Sequence, residues 1–227
     1  MVQQPGPDAS VPGGRTLALG RQAAWTDGLP THPDSASWSV IDVDPDADGR
    51  ADVLITYGPL PDNESDDPAI QQQNDRFLSA TPCADEAAFT DSTGAVAGEL
   101  SANHRGVAEA DFNADGAPDL AVGTFGGAPL ILLGRPGGGT RLTVRLDDPT
   151  AANRFGIGAR VTLTAGERSW SKELGAGGRG SQSGGAPVLR FAFGEVEAVD
   201  RVEVRWPAGT VQDFAPSCLD CQVLLSR

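Results

Sequence analysis

"DPDADGRADVLITYG", residues 44–58, places Asp44, Asp46, Asp48 and Asp52 around Gly49 and then runs straight into Val53, Leu54 and Ile55. "DFNADGAPDLAVG", residues 111–123, repeats the design with Asp111, Asn113, Asp115, Gly116 and Asp119. Both read D-x-[DN]-x-D-G-x-x-D followed by apolar residues. Side-chain oxygens crowded into so short a loop repel one another unless a cation gathers them. Positions 1, 3 and 5 turn oxygens inward, and the backbone carbonyl at position 7 (Arg50 or Ala117) joins them. The Asp at position 9 closes the shell. Ca²⁺ takes roughly six to eight oxygens, and the glycine permits the sharp turn. An EF-hand would carry Glu at position 12, where this chain has Ile55 and Val122. Each loop is therefore expected to enter a β-strand and to hold one Ca²⁺. A pair of solvated Asp/Gly turns is the plainer alternative. Two matched copies favour the cation.

The charge agrees. The net formal charge is −14, and residues 1–140 hold 21 acidic side chains against 6 basic ones. Residues 141–227 are nearly neutral, with 10 and 11. The acidic surplus thus travels with the two loops. No nucleic-acid partner is expected, because a phosphate backbone needs clustered Lys and Arg. No membrane span is expected either, since no apolar run approaches about 18–20 residues.

Strand-like segments recur along the chain: "SWSVIDV", "ADVLITYG", "RGVAEADF", "DLAVGTF", "PLILLG", "RLTVRL", "ARVTLTAG", "SWSKEL", "VLRFAFG", "RVEVRW" and "QVLLS". Period-2 alternation is clearest at Arg201–Trp206, and it predicts one buried face. Short strands separated by Gly- and Pro-rich turns predict an all-β protein. The opening "MVQQPGPDASVPGGRT" lacks an apolar core and reads as a flexible lead over residues 1–20, with any export signal already removed. Residues 61–75 read as a solvated acidic connection. "GRPGGG" at 134–139 reads as a hinge between an N-terminal region (21–140) and a C-terminal one (141–227).

The N-terminal loops resemble FG-GAP/VCBS repeats, the Ca²⁺-binding blades of integrin-type β-propellers, with "HRGVAEADFNADGAPDLAVGTFGGAPLILLG" matching over its length. The C-terminal region resembles the ASPIC/UnbV domain of cartilage-acidic-protein-like proteins. Its marks are "NRFGIGARVTL", "GGRGSQS" with Ser181 and Gln182, "FAFG" and "VDRVEVRWPAGTVQDF". Where that family carries G-L-G after the Phe, this chain has Gly194-Glu195-Val196. The resemblance implies two propeller-type blades forming an incomplete propeller, followed by a β-sandwich-like domain. It also implies an extracellular, periplasmic or cell-surface setting. A secreted calcium-binding interaction or adhesion module follows, with an extracellular protein or glycan as ligand. The alternative is an extracellular hydrolase-like enzyme on a propeller scaffold. Two blades cannot close a ring, so their open edges invite coverage by the tail, by a second copy or by further blades.

Single residues add less. Trp206 is expected in the core, and Gly156 and Gly158 at a tight turn. Arg160 is expected to pair with a neighbouring carboxylate. His104 suits a supporting position better than that of a general base. "GAGGRG" at 175–180 lacks the helix and βαβ unit of a dinucleotide site. Cys218 and Cys221 suggest either a redox pair or, preferably, a structural disulfide with Cys83 as one partner. No constellation amounts to an active site.

Overall fold

The computed structural model describes residues 35–60, 73–81, 89–96, 100–177, 182–215 and 218–227. The lead at 1–20, His32, residues 61–72 of the acidic connection, Cys83 and Ser181 lie outside them. Among the described residues the chain is all-β, with one four-residue helix, α1 (Thr93–Val96).

Among its described residues the N-terminal region holds nine strands. β1 (Ser35–Val43) and β2 (Asp52–Pro59) form an antiparallel hairpin whose turn is the first Asp loop. β3 (Gln73–Asn74), β4 (Arg76–Ala80) and β5 (Phe89–Asp91) follow, and the sheet order is β1-β2-β4-β5. β6 (Ser101–Ala102) pairs with β3. β7 (His104–Ala110) and β8 (Asp119–Thr124) flank the second Asp loop, and β9 (Leu130–Leu132) extends that sheet. Both loops therefore lead into strands, as their apolar runs dictate. Ile41, Val43, Leu54, Phe77, Leu100, Val107, Leu120 and Val122 bury one shared core between the sheets.

The C-terminal region is a sandwich. β10 (Arg141–Asp147), β11 (Arg160–Ala165), β12 (Arg168–Glu173), β13 (Gly184–Gly185), β14 (Val188–Ala192), β15 (Arg201–Arg205), β16 (Val211–Phe214) and β17 (Cys221–Ser226) complete the fold. One sheet runs β14-β10-β17 and the other β12-β11-β15-β16. Their inner residues, among them Leu142, Val161, Phe191, Val204 and Trp206, form a second core. Alternation at Arg201–Arg205 is realised as exposed, buried, intermediate, buried, exposed. Trp206 is 2% exposed, and its indole N–H donates to Gln212 Oε1 at 2.6 Å. Gly156 holds φ +66°, and a Cβ there would stand 3.2 Å from the Trp206 ring. That turn requires glycine for both reasons. Arg160 lies 3.6 Å from Glu173.

The described strands close into no barrel or propeller. The outer edge of β7 is covered by the chain's own tail, because β13 joins it in parallel. Its partner stretch approaches so closely that a Cβ on Gly106 would collide with Gln182 O.

Two expectations need correction. The acidic connection does not end in solvent: Asp75 is fully buried, fixed by the β3–β6 pair beside it. Within the stretch 134–139, two glycines pack closely against the first Asp loop. Gly138 and Gly139 abut the carbonyls of Asp46 and Ala47, so they answer a close backbone approach. Cys218 bonds Cys221 and not Cys83. Asp220, at φ +52°, turns the chain so that the two Cα atoms stand 6.1 Å apart, within disulfide reach.

Candidate metal centre

Each Asp loop is wired by its own side chains in the same way. Asp44 accepts from the N–H of Asp48 at 3.2 Å and of Gly49 at 3.0 Å. Asp111 accepts from Asp115 N–H at 3.1 Å and Gly116 N–H at 3.0 Å. Position 3 (Asp46 or Asn113) accepts from the same N–H as its Asp44 or Asp111 neighbour. Position 5 accepts from position 7, at 2.7 Å in Arg50 and 2.8 Å in Ala117. Positive φ falls at position 4 (Ala47 +57°, Ala114 +60°) and position 6 (Gly49 +86°, Gly116 +88°). Two non-glycine residues in left-handed geometry carry strain that the surrounding loop must hold.

The result draws carboxylates together. Ligand oxygens of Asp44, Asp46 and Asp48 lie within 4.8 Å of one another. Burial pushes the Asp44 carboxyl up to about 7, with Asp48 and Asp46 adding repulsion against the Gly49 N–H. Three acidic side chains around one point, with a carbonyl-bearing turn beside them, fit a hard divalent cation. Arg50, expected to offer its carbonyl, also sets its guanidinium against Asp48. In the second loop Asn113 replaces one carboxylate, and its amide donates to Asp115 Oδ2 at 2.8 Å.

The position-9 residues are placed differently. Asp52 is 7% exposed and accepts from Ala80 N–H of β4 at 2.7 Å; burial raises its carboxyl above the ordinary range. Asp119 is fully buried and accepts from Phe112 N–H at 2.7 Å and Gly134 N–H at 2.8 Å. Both tie the loop base to neighbouring chain, a role the motif alone does not reveal.

The two loops meet different surroundings. The first is gripped from the C-terminal side: Gly194 N–H donates to Ala47 O at 2.9 Å, and Arg141 Nη2 donates to Pro45 O at 2.6 Å. Beside this contact lies a cleft of about 120 Å³ between the two sheets systems, with Asp42, Asp44, Glu109, Lys172 and Arg190 on its walls. Arg190 and Glu109 pair across it at 3.4 Å. His104, for its part, is buried on β7, with Nδ1 2.6 Å from Asp75 Oδ2. Asp75 also accepts from Tyr57 N–H at 2.9 Å, and burial raises its carboxyl despite both partners. The pair braces the core beneath β2 and β7.

With the sandwich, the Gly156 turn and the buried Trp206 in place, one family match bears on the chain. Residues 149–226 match the family described as ASPIC and UnbV. No curated protein matches the chain. The match begins after β10, yet β10 pairs with β14 on one side and β17 on the other. The ASPIC/UnbV unit in this fold therefore takes its central strand from residues ahead of the matched stretch. Both Asp loops lie outside the match.

Proposed function

We propose that this chain is a calcium-stabilised extracellular binding module, with two FG-GAP/VCBS-like loops as its cation sites and the ASPIC/UnbV unit as a rigid partner domain. The observation that carries the reading is the repetition: two loops 67 positions apart share one hydrogen-bond plan and one pattern of positive φ. Asp44, Asp46, Asp48 and Asp52 form the first ligand set, with the Arg50 carbonyl. Asp111, Asn113, Asp115 and Asp119 form the second, with the Ala117 carbonyl. A bound Ca²⁺ supplies charge neutralisation that no side chain in the loops provides in full. The ligand of such a module is an extracellular protein or a glycan. No helix among the described residues is long and apolar enough to cross a membrane.

Calorimetric titration with CaCl₂, with MgCl₂ as the control, tests the reading. Two sites with Kd on the order of 10⁻⁴–10⁻³ M are expected, the range of extracellular modules. Absence of heat from CaCl₂, together with melting curves unchanged by EDTA, would reject it.

A further inference from the structure

At the end of the N-terminal sheets opposite the Asp loops, two β-bulges meet. In β1 the register passes from Ser37↔Tyr57 to Ser39↔Thr56, which leaves Trp38 as the extra residue. In β7 it passes from His104↔Thr124 to Val107↔Val122, so Arg105 and Gly106 stand opposite Gly123 alone. A bulge re-aims the side chain it carries. Here it breaks alternation, and the neighbours His104 and Arg105 are both buried. The re-aimed groups touch: the Arg105 guanidinium carbon lies 3.8 Å from the centre of the Trp38 ring and 5.4 Å from that of Phe125.

Arg105 is only 8% exposed. Its Nη1 is buried and has no hydrogen-bond partner among the described residues. The buried carboxylate of Asp75, which meets the neighbouring His104, is committed to that residue and to the Tyr57 N–H. A guanidinium cannot shed its charge as a lysine does, so a buried one demands an anion or a full set of acceptors. Aromatic rings cover a guanidinium's face and leave its in-plane N–H groups to be satisfied. A second unmet group lies two residues away along the chain. Asn103 Oδ1 is buried and also without a partner among the described residues. It crowds Gly58, whose carbonyl accepts from Trp38 Nε1 at 3.2 Å. Phe125 is held beside Asn103, its N–H donating to Asn103 O at 2.8 Å, and the residue is 68% exposed.

We propose that Trp38, Asn103, Arg105 and Phe125 form a binding site for a carboxylate-bearing ligand, with Arg105 holding the carboxylate in plane. A planar carboxylate matches the guanidinium fork with two parallel hydrogen bonds. The chain's net charge of −14 repels densely anionic ligands and leaves a single carboxylate the least opposed. The Asn103 amide accepts or donates to a hydroxyl or amide beside that carboxylate, and Phe125 offers an open apolar face to the rest of the ligand. The site goes beyond the calcium reading and stands without it, since none of its residues belongs to an Asp loop.

The test is calorimetric titration of the Ca²⁺-saturated full chain with sodium D-glucuronate and, separately, with N-acetyl-L-glutamate. Methyl glucoside serves as the uncharged control. Saturable binding of at least one acid in the millimolar range is expected, with none for the glucoside. Arg105→Lys keeps the charge but loses the fork, and should weaken binding at least tenfold. Phe125→Ala alters an exposed ring, so it should leave the melting temperature unchanged and still weaken binding severalfold. Preference for glucuronate would point to a glycan source and preference for acetylglutamate to a peptide. Failure of both acids to bind overturns the proposal. So does binding that survives in both variants, which would put the carboxylate on the loop cations.

Discussion

The loops at 44–52 and 111–119 are near copies in sequence, hydrogen bonding and backbone angle, yet they occupy opposite situations. In the first, Ala47 is fully buried and its carbonyl is taken by Gly194. In the second, the equivalent Ala114 is exposed. The shared wiring comes from the motif itself: Asp and Asn side chains capture backbone N–H groups two, four and five positions on. The difference comes from a segment more than a hundred residues away. A loop motif thus fixes its own shape, and the fold decides what that shape is connected to. Loop 44–52 hydrogen-bonds to the C-terminal half of the molecule, whereas the hydrogen bonds of loop 111–119 among the described residues stay within the N-terminal half.

The most disruptive way to probe this contrast is to remove the grip. Trp206→Ala deletes the largest side chain of the second core and should destabilise the sandwich by about 3–5 kcal/mol. Because Gly194 and Arg141 belong to that half, calcium affinity at the first loop should fall with it, while the second loop is spared. Equal losses at both loops in a calcium titration of the variant would erase the distinction. The next effect is the cation's own. With one Ca²⁺ per loop, as proposed, free Ca²⁺ at about 100 times Kd should stabilise the folded state by roughly 2.7 kcal/mol per site. Asp48→Ala and Asp115→Ala should each abolish one share in EDTA-difference melts. Asp48→Ala should also loosen the contact between the halves, seen as faster hydrogen exchange at Gly194, and Asp115→Ala should not.

Much of this was legible from residue pattern. All eleven strand-like segments became strands, because alternation and β-branched content act locally. The Asp motif announced its turn, and Trp206 announced a core. What stayed hidden depends on partners far along the chain. β13 is only Gly184-Gly185, with no apolar signal, and exists because β7 offers an edge. β4 and β5 are short and follow a polar stretch, so nothing local marks them. β10 and β17 pair in parallel, which no hairpin signal predicts. The bulges at Trp38 and Arg105 shift register without changing composition, so the Arg105 site has no motif. A tryptophan and an arginine inside two strand patterns, one beside a glycine, were the only hint.

A smaller perturbation acts at the joint alone. A Cβ on Gly139 would meet Ala47 O and come within 2.9 Å of Gly194 Cα, both backbone atoms that cannot swing aside. Gly139→Ala should cost about 1–3 kcal/mol, the usual range for overpacking. It should weaken calcium at the first loop only. Gly116→Ala, where no atom stands within 4 Å but φ is +88°, tests the second loop by strain without crowding. If Gly139→Ala left first-loop affinity intact, the grip would be mechanical packing without a bearing on the cation.

The least effect is expected from pH, and it separates the loops from the core beneath them. Asp75 is buried beside His104, and burial is the chief reason its carboxyl lies above the ordinary value of 3.8. A carboxyl raised in the folded state binds its proton more tightly there than in the unfolded chain. Its contribution to stability is therefore complete below pH 3.8 and is lost as pH rises through the raised value. Asp75→Asn keeps the shape and cannot titrate. In EDTA, the stability of the wild type relative to Asp75→Asn should therefore decline as pH increases from about 4 and then level off. The loop carboxylates are common to both proteins and cancel in the difference. A flat difference across that window would mean that Asp75 enters the folded state already ionised, its charge fully met by His104 and the Tyr57 N–H. A rising difference would mean that those two partners outweigh the burial, and the pair would then be a net source of stability at neutral pH.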